Sequence, residues 1–356
     1  MEFWTSAATS PRRFPELARE AETDGWDGIS TVDSQNLATD PYVSLALAGQ
    51  ATERLGVMTS VTNTVTRAPA VTACAAMTVQ NVSDGRMVLG IGRGDSALAH
   101  LGRAPARLKW FENYLIALQA YLRGDEVDFA LAGIVDEMAP PVETLGLAEA
   151  PDASAIRWAG RLAKVPVEVA ATGPRVIGAA ARHADRIMFA LGAAKERLMW
   201  GIDTARAAAQ EVGRDPDTLE FGAYLNVACH DDPATGRALA RAGTSLFARF
   251  SVMHGTVSGP ADASQSEVFH NVHDRYDMNK HAQADGDQTT VLTDEFMDSF
   301  AIVGGRDHCI DRLAEIRDLG IDKVFVAGPA FRSAGSEDAQ LAAANFIDGV
   351  MPALRG

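Results

Sequence analysis

The feature that most constrains this chain is an alternation. Short apolar stretches of strand character are followed repeatedly by stretches whose apolar residues recur every three or four positions. Met1 to Ala7 reads as a strand, and Pro11 to Trp26 as a helix with Phe14, Leu17, Ala18 and Ala21 on one face. Ile29 to Asp33 is a second strand and Leu55 to Val61 a third, separated by a helix that Asp40 caps and Pro41 opens. Pro69 starts the next helix, and Met87, Val88, Leu89 and Ile91 form the apolar run of a strand buried on both faces. Leu108, Phe111, Leu115, Leu118 and Leu122 then mark an amphipathic helix stopped by Gly124. After a gap the pattern resumes with Val165, Val167 and Val169, a helix to His183, strand Ile187 to Ala190 and helix Lys195 to Val212. Leu219 to Val227 alternates as a strand, Pro233 to Phe250 is helical, and Lys323 to Ala327 precedes a terminal helix from about Asp338.

Eight strands result, starting near positions 1, 29, 55, 87, 165, 186, 219 and 323, with Phe300 to Val303 as a further strand-like piece. Alternation of this kind makes a parallel sheet, and eight units in 356 residues predict an α/β fold, a (β/α)8 TIM barrel in one domain, 1–356. An open doubly wound sheet is the alternative. Two stretches break the period: 125–164, with Pro140, Pro141 and Pro151, and the polar 251–292. They are expected as insertions after strand 4 and strand 7.

Charge narrows the function. A net charge of −15 removes any global attraction to a phosphate backbone, so no nucleic-acid partner is expected. Cys74, Cys229 and Cys309 are far apart in sequence and odd in number, which reads as buried thiols in a reducing cytoplasm. Met1 to Ala7 has no basic flank or long apolar run, so neither an export signal nor a membrane partner is expected.

The chemistry is expected where Met87–Ser96 runs into Gly90, Gly92, Gly94 and Asp95. Glycines there allow a sharp turn or close approach of a ligand, and a strand's C-terminal end is where barrels bind. A dinucleotide fingerprint can be forced onto Gly92, Gly94 and Ala97, but the acid about twenty positions on is Glu112, inside a helical pattern. In a barrel the loops after the strands meet, which gathers Asp33 and Ser34, Ser60 to Asn63, Gly92 to Ser96 and Ala171 to Pro174. Thr172-Gly173-Pro174 opens a helix, and backbone N–H groups with the dipole behind them make an anion site without a lysine. Asp33 reads equally as a structural cap and Asp95 as a turn carboxylate. His270, His273 and His281 share a polar stretch, but their spacing fits no standard zinc set, and a lid over the pocket, with Tyr276, Met278 and Asn279 towards substrate, is the preferred reading.

Four separated motifs, Val61 to Ala73, Leu89 to Ala97, Ala171 to Pro174 and Phe300 to Gly304, resemble the bacterial luciferase-like family. They are most similar to its branch of methylenetetrahydromethanopterin reductases and other oxidoreductases that use the deazaflavin F420. The resemblance implies a barrel that holds F420, or alternatively FMN, at the strands' C-terminal ends. It also implies a cis peptide at Ser60–Val61 behind the ring, and a homodimer. Cofactor contacts carry over to Asp33, Ser34, Thr59, Ser60, Val61, Asn63, Gly92, Arg93, Gly94 and, for the phosphate, Ala171, Thr172 and Gly173. Asp95 carries over as a catalytic acid. Two departures stand out: Ser34 replaces a histidine after strand two, and Ser6 stands where the reductase has a glutamate.

The function expected is hydride transfer between F420 and a small organic substrate, with an FMN-dependent two-component monooxygenase as the alternative and a non-catalytic flavin-binding barrel as a third. As a proton donor, Asp95 would need burial to raise its pKa; as a turn acceptor, it would take N–H bonds from the residues that follow.

Overall fold

A computed structural model of the chain describes residues 1–160 and 162–355. Ten parallel strands form its sheet: β1 (Glu2–Ser6), β2 (Gly28–Thr31), β3 (Gly56–Thr59), β4 (Thr62–Asn63), β5 (Met87–Gly92), β6 (Val167–Ala171), β7 (Arg186–Phe189), β8 (Glu220–Cys229), β9 (Ile302–Gly304) and β10 (Ile321–Ala327). Neighbours run β1-β2-β3-β5-β6-β7-β8, and β10 closes the ring by pairing with β1 through Glu2↔Lys323 and with β8 through Val324↔Ala223. This is the closed eight-stranded barrel expected, with helices between its strands; the open sheet is excluded.

Two strands lie outside the ring of eight. β9 pairs with the far end of the ten-residue β8, Val227↔Ile302 to Cys229↔Gly304. β4 is a correction to the third strand, which does not run unbroken to Val61: β3 stops at Thr59, the Ser60–Val61 peptide is cis, and Thr62–Asn63 resumes pairing with β5.

The barrel interior is filled by side chains rather than left as a pore. Trp4 lies across it, and Gly28 and Gly56 make room, since a Cβ at either would sit 2.3–2.4 Å from the indole. Lys323, wholly buried, points inward with its Nζ 3.6 Å above the Trp4 ring and 2.8 Å from Glu168. Burial pulls the lysine pKa down and the Glu168 carboxylate opposes that. A paired charge is the form in which a lysine can occupy such an interior.

The first break, 125–164, holds two single turns, Phe129–Leu131 and Val142–Leu145, and a bridge Val127↔Ser154; Arg161 lies outside the described residues. The second is more ordered than its polarity suggests. Asp262 and Gln265 form a reciprocal capping box that starts a helix, Ala263–Asp274, which buries Val268, Phe269 and Val272. Cys74 corrects the reading of buried thiols: it is exposed, one turn from exposed Val71. Cys229 and Cys309, far apart in sequence, are buried, and the Cys309 thiol donates to the Gly304 carbonyl at 3.5 Å. No described helix is long and apolar enough to cross a membrane.

Candidate active site

A cavity of about 660 Å³ opens at the C-terminal ends of the strands. Eleven of the thirteen residues expected there line it: Asp33, Ser34, Ser60, Val61, Asn63, Gly92, Arg93, Gly94, Asp95, Thr172 and Gly173. Thr59 and Ala171 stand behind the wall, fully buried, and Thr59 Oγ1 donates to the Gly90 carbonyl at 2.7 Å.

The glycines of the β5 loop do three different jobs. A Cβ on Gly90 would lie 2.1 Å from the Thr59 carbonyl oxygen, so this glycine lets β3 and β5 close up rather than admitting a ligand. Gly94 adopts φ +86°, where a side chain is strained, and a Cβ there would also strike Leu98 at 2.7 Å. Gly92 is the one beside the bulge, its missing Cβ 3.2 Å from a Val61 methyl.

Asp33 is an organiser. Buried to 3% exposure, it accepts from Thr62 Oγ1 at 2.6 Å and from Arg67, which also reaches Asp40 and covers the Tyr42 ring. Burial, with the Asp33 charge second, pushes the Tyr42 phenol well up, so it stays neutral. Ser34 bonds Ser96 at 2.9 Å and Ser60 accepts from Ser30 at 2.7 Å, which ties the loops after β2, β3 and β5 together. Asn63 Oδ1 accepts from the Val65 and Thr66 amides, both at 3.0 Å, which fixes the orientation of its amide. Its Nδ2 is left buried without a partner, and so is the Tyr224 hydroxyl on the same cavity.

Asp95 is not the turn acceptor that one reading of the sequence expects. It makes no bond to the amides of the turn Ser96–Ala99; its carboxylate pairs with Arg249 instead. Arg249 lies 4.5 Å over the Tyr276 ring, and the Tyr276 hydroxyl is 2.9 Å from Nδ1 of His281, which reaches the cavity. Burial lowers the His281 pKa; Asp95 pulls against this, while Arg249 and His100 add to it. His270 and His273 are instead exposed on helix Ala263–Asp274, so the three histidines do not meet. Tyr276, Met278 and Asn279 do not line the cavity.

One end of the cavity is basic. Gly173 is the N-cap of helix Pro174–His183 and no side chain caps it, and Arg93, Arg107 and Arg175 line the same space. Burial and then the like charge of Arg175 lower the Arg93 pKa, as expected where cations gather without a counter-charge. Tyr224, Phe247, Phe250 and Phe325 form a contiguous aromatic wall, with ring centroids 4.9–6.0 Å apart.

The segment that carries Met253, His254, Thr256 and Ser258 to the cavity is held by Arg197. This arginine is almost fully buried, with no carboxylate partner among the described residues. It donates to the carbonyls of Leu191 (2.9 Å), Pro260 (2.6 Å) and Ser258 (2.8 Å) and to the Ser251 hydroxyl (2.8 Å). Its head rests 4.9 Å over Phe269, and burial lowers its pKa to about 10, which leaves it charged at neutral pH.

Comparison with known proteins agrees with this geometry. A family model for luciferase-like monooxygenases matches residues 2–323. A 5,10-methylenetetrahydromethanopterin reductase of Methanolobus tindarius is 24% identical over 89% of this chain and 90% of its own. Among solved structures, the coenzyme F420-dependent tetrahydromethanopterin reductase of Methanopyrus kandleri superposes with a TM-score of 0.74 at 18% identity, covering 99% of this chain and 98% of that one. A monooxygenase of Streptomyces bottropensis gives 0.64 at 18% identity over 99% of each. The barrel with its cavity at the strand ends, and a family match across most of its length, make this chain a member of the luciferase-like monooxygenase family, enzymes that are F420- or flavin-dependent oxidoreductases.

Proposed function

We propose that this enzyme uses F420 to move a hydride to or from a carbon of a small organic substrate. The carrying observation is the buried, unpartnered Nδ2 of Asn63 beside the Ser60–Val61 bulge. A donor buried without an acceptor costs about 1–3 kcal/mol, and a ring carbonyl of a flavin or deazaflavin laid against Val61 would satisfy it. The residues present therefore fit such a group. Gly92 leaves space beside the bulge, and Gly173 with Arg93, Arg107 and Arg175 suits the phosphate end.

When bound, the deazaflavin supplies a two-electron hydride chemistry that reacts poorly with oxygen. What remains for the chain is alignment and exclusion of water. Asp33, by fixing Thr62 and Arg67, holds the bulge in register with β5. Tyr224, Phe247, Phe250 and Phe325 keep the reacting region apolar. To Asp95 we assign a positioning role: an acceptor committed to Arg249 is poorly placed to give a proton.

The preference for F420 over FMN is supported by a putative coenzyme F420-dependent oxidoreductase of Mycobacterium tuberculosis, 27% identical over 92% of this chain and 94% of its own. The FMN monooxygenase reading is supported by the same fold in the Streptomyces enzyme. Each cofactor offered in slight excess decides between them: F420 should quench tryptophan fluorescence and become reducible on the protein. Quenching and reduction with FMN alone would establish the monooxygenase reading instead. A homodimer is part of the same proposal, supported by Val43, Leu47 and Val71 exposed on the neighbouring helices Pro41–Ala51 and Pro69–Val82.

A further inference from the structure

We propose that the substrate is an uncharged, largely apolar carbonyl compound or the corresponding alcohol, and that Nε2–H of His281 is the hydrogen-bond donor that holds its oxygen. This rests on the hydride-transfer reading above and adds the substrate class and the residue that orients it.

The substrate class follows from the state of the charges around the cavity. Two carboxylates line it, and both are committed: Asp33 to Thr62 and Arg67, Asp95 to Arg249. Among the described lining residues the arginines are Arg93, Arg107 and Arg175; Arg175 lies in the first turn of the helix where the cofactor phosphate belongs, and its charge acts on Arg93. No carboxylate among the described lining residues is left for a substrate cation, and the arginines are assigned to the phosphate. Tyr224, Leu246, Phe247, Phe250, Met253 and Phe325 form an apolar wall of the remaining space, with His254, Thr256 and Ser258 beside it. Such a wall favours an apolar body, and the Tyr224 hydroxyl, 5% exposed and unpartnered, marks one polar point within it.

The donor follows from the order of contacts behind His281. The Tyr276 hydroxyl is 2.9 Å from His281 Nδ1 and makes no other hydrogen bond among the described residues. Burial pushes the Tyr276 phenol up, so it keeps its proton, and in the arrangement we propose that hydrogen is donated to Nδ1, 2.9 Å away. Burial also keeps the imidazole neutral, the Asp95 charge acting against this and those of Arg249 and His100 with it. A neutral imidazole that accepts at Nδ1 carries its hydrogen on Nε2. Arg249, clamped by Asp95 and seated over the Tyr276 ring, fixes the tyrosine that sets this tautomer. His281 is thus a neutral donor towards the substrate oxygen, and Tyr276, Arg249 and Asp95 are positioning residues that act through it. No proton leaves the imidazole in this role. In the reductive direction the hydride adds to the carbonyl carbon as the C–O π bond breaks, and the oxygen, held by the Nε2–H donor, takes its proton from water as the product leaves the cavity.

The probes are acetophenone, as an uncharged aromatic ketone, and benzoate, as an anion of similar size. They are titrated into ¹⁵N-histidine-labelled full-length protein with and without F420, and the imidazole resonances of His281 are followed by NMR. In the free protein His281 should show the Nε2–H tautomer, and Tyr276→Phe should mix the tautomers while the fold is retained. Acetophenone should shift Nε2 of His281 and benzoate should not. His281→Ala and Tyr276→Phe should each weaken acetophenone binding, by about tenfold for a lost hydrogen bond, and His281→Gln, which can still donate, should recover part of it. An Nδ1–H tautomer in the wild type, no shift with acetophenone up to its solubility limit, or a shift with benzoate in its place overturns the proposal. The F420 titration is read separately. Absence of F420 binding together with a His281 response to acetophenone refutes the cofactor assignment and leaves the substrate assignment standing; F420 binding without that response does the reverse.

Discussion

Arg197→Met tests whether the cavity wall formed by Met253, His254, Thr256 and Ser258 owes its position to a single buried cation. The substitution keeps an apolar stem of similar length over Phe269 and removes four donated hydrogen bonds. The Ser258 and Pro260 carbonyls belong to a partly exposed segment and can return to water. The Leu191 carbonyl and the Ser251 hydroxyl lie in fully buried residues and cannot. Two stranded acceptors at about 1–3 kcal/mol each cost roughly 3 kcal/mol, since relief from burying the cation offsets part of the sum. Unfolding entropy of about 2.1 cal/mol/K per residue, taken over 356 residues, converts that into a fall in Tm of about 4 °C. Differential scanning calorimetry measures the fall, and hydrogen exchange locates it: exchange should rise across 252–260 and stay unchanged in the barrel strands. Arg197→Lys keeps the charge but not the planar fork, and should recover only part of the loss. A Tm within about 1 °C of wild type, with unchanged exchange across 252–260, refutes the argument.

Gly173→Asp should weaken cofactor binding by well over tenfold, measured by fluorescence titration. Gly173 has an ordinary φ of −82° and a Cβ there would be 3.7 Å from Ser258 Oγ, so the change adds charge without strain, and unaltered affinity in a folded variant removes the anion site. Asp95→Asn should leave cofactor affinity within about threefold while it loosens Arg249 and disturbs the His281 tautomer; a fall in turnover of about 10² or more with His281 unchanged restores Asp95 as the acid. Stability should depend on acid through His281 and His183, both held below the usual histidine pKa chiefly by burial. Their folded-state pKa is depressed, so the unfolded chain takes up protons first and stability falls as pH drops through about 6.5. His281→Gln should make Tm fall less steeply between about pH 7.5 and pH 5.5; an unchanged slope contradicts the assignment.

The barrel was legible because strands buried on both faces must be apolar throughout, as in Leu89, Ile91, Val167 and Val169. The polar residues gathered at its mouth were legible from the same topology. The break after Thr59 was legible only through the family resemblance, which implied the cis peptide at Ser60–Val61; the residue pattern hid it, because Val61 continues the apolar run. The state of Asp95 was not legible: its partner Arg249 lies 154 residues further on, with no local signal joining them. Helix Ala263–Asp274 did carry a signal, the Asp262-x-x-Gln265 capping box ahead of Val268, Phe269 and Val272. Overall polarity of the segment masked it. Arg197 was hidden for a different reason: its acceptors are mostly main-chain oxygens, which every sequence has.

That last property bears on how such an enzyme changes over evolutionary time. An arginine fastened to the carbonyls of Ser258 and Pro260 holds the loop by atoms no side-chain replacement can delete. Positions that line the cavity, such as Met253 and Thr256, can therefore be exchanged while the loop keeps its anchorage. New specificities become reachable by single steps, and a library built at those two positions should retain the parental melting temperature across most of its members.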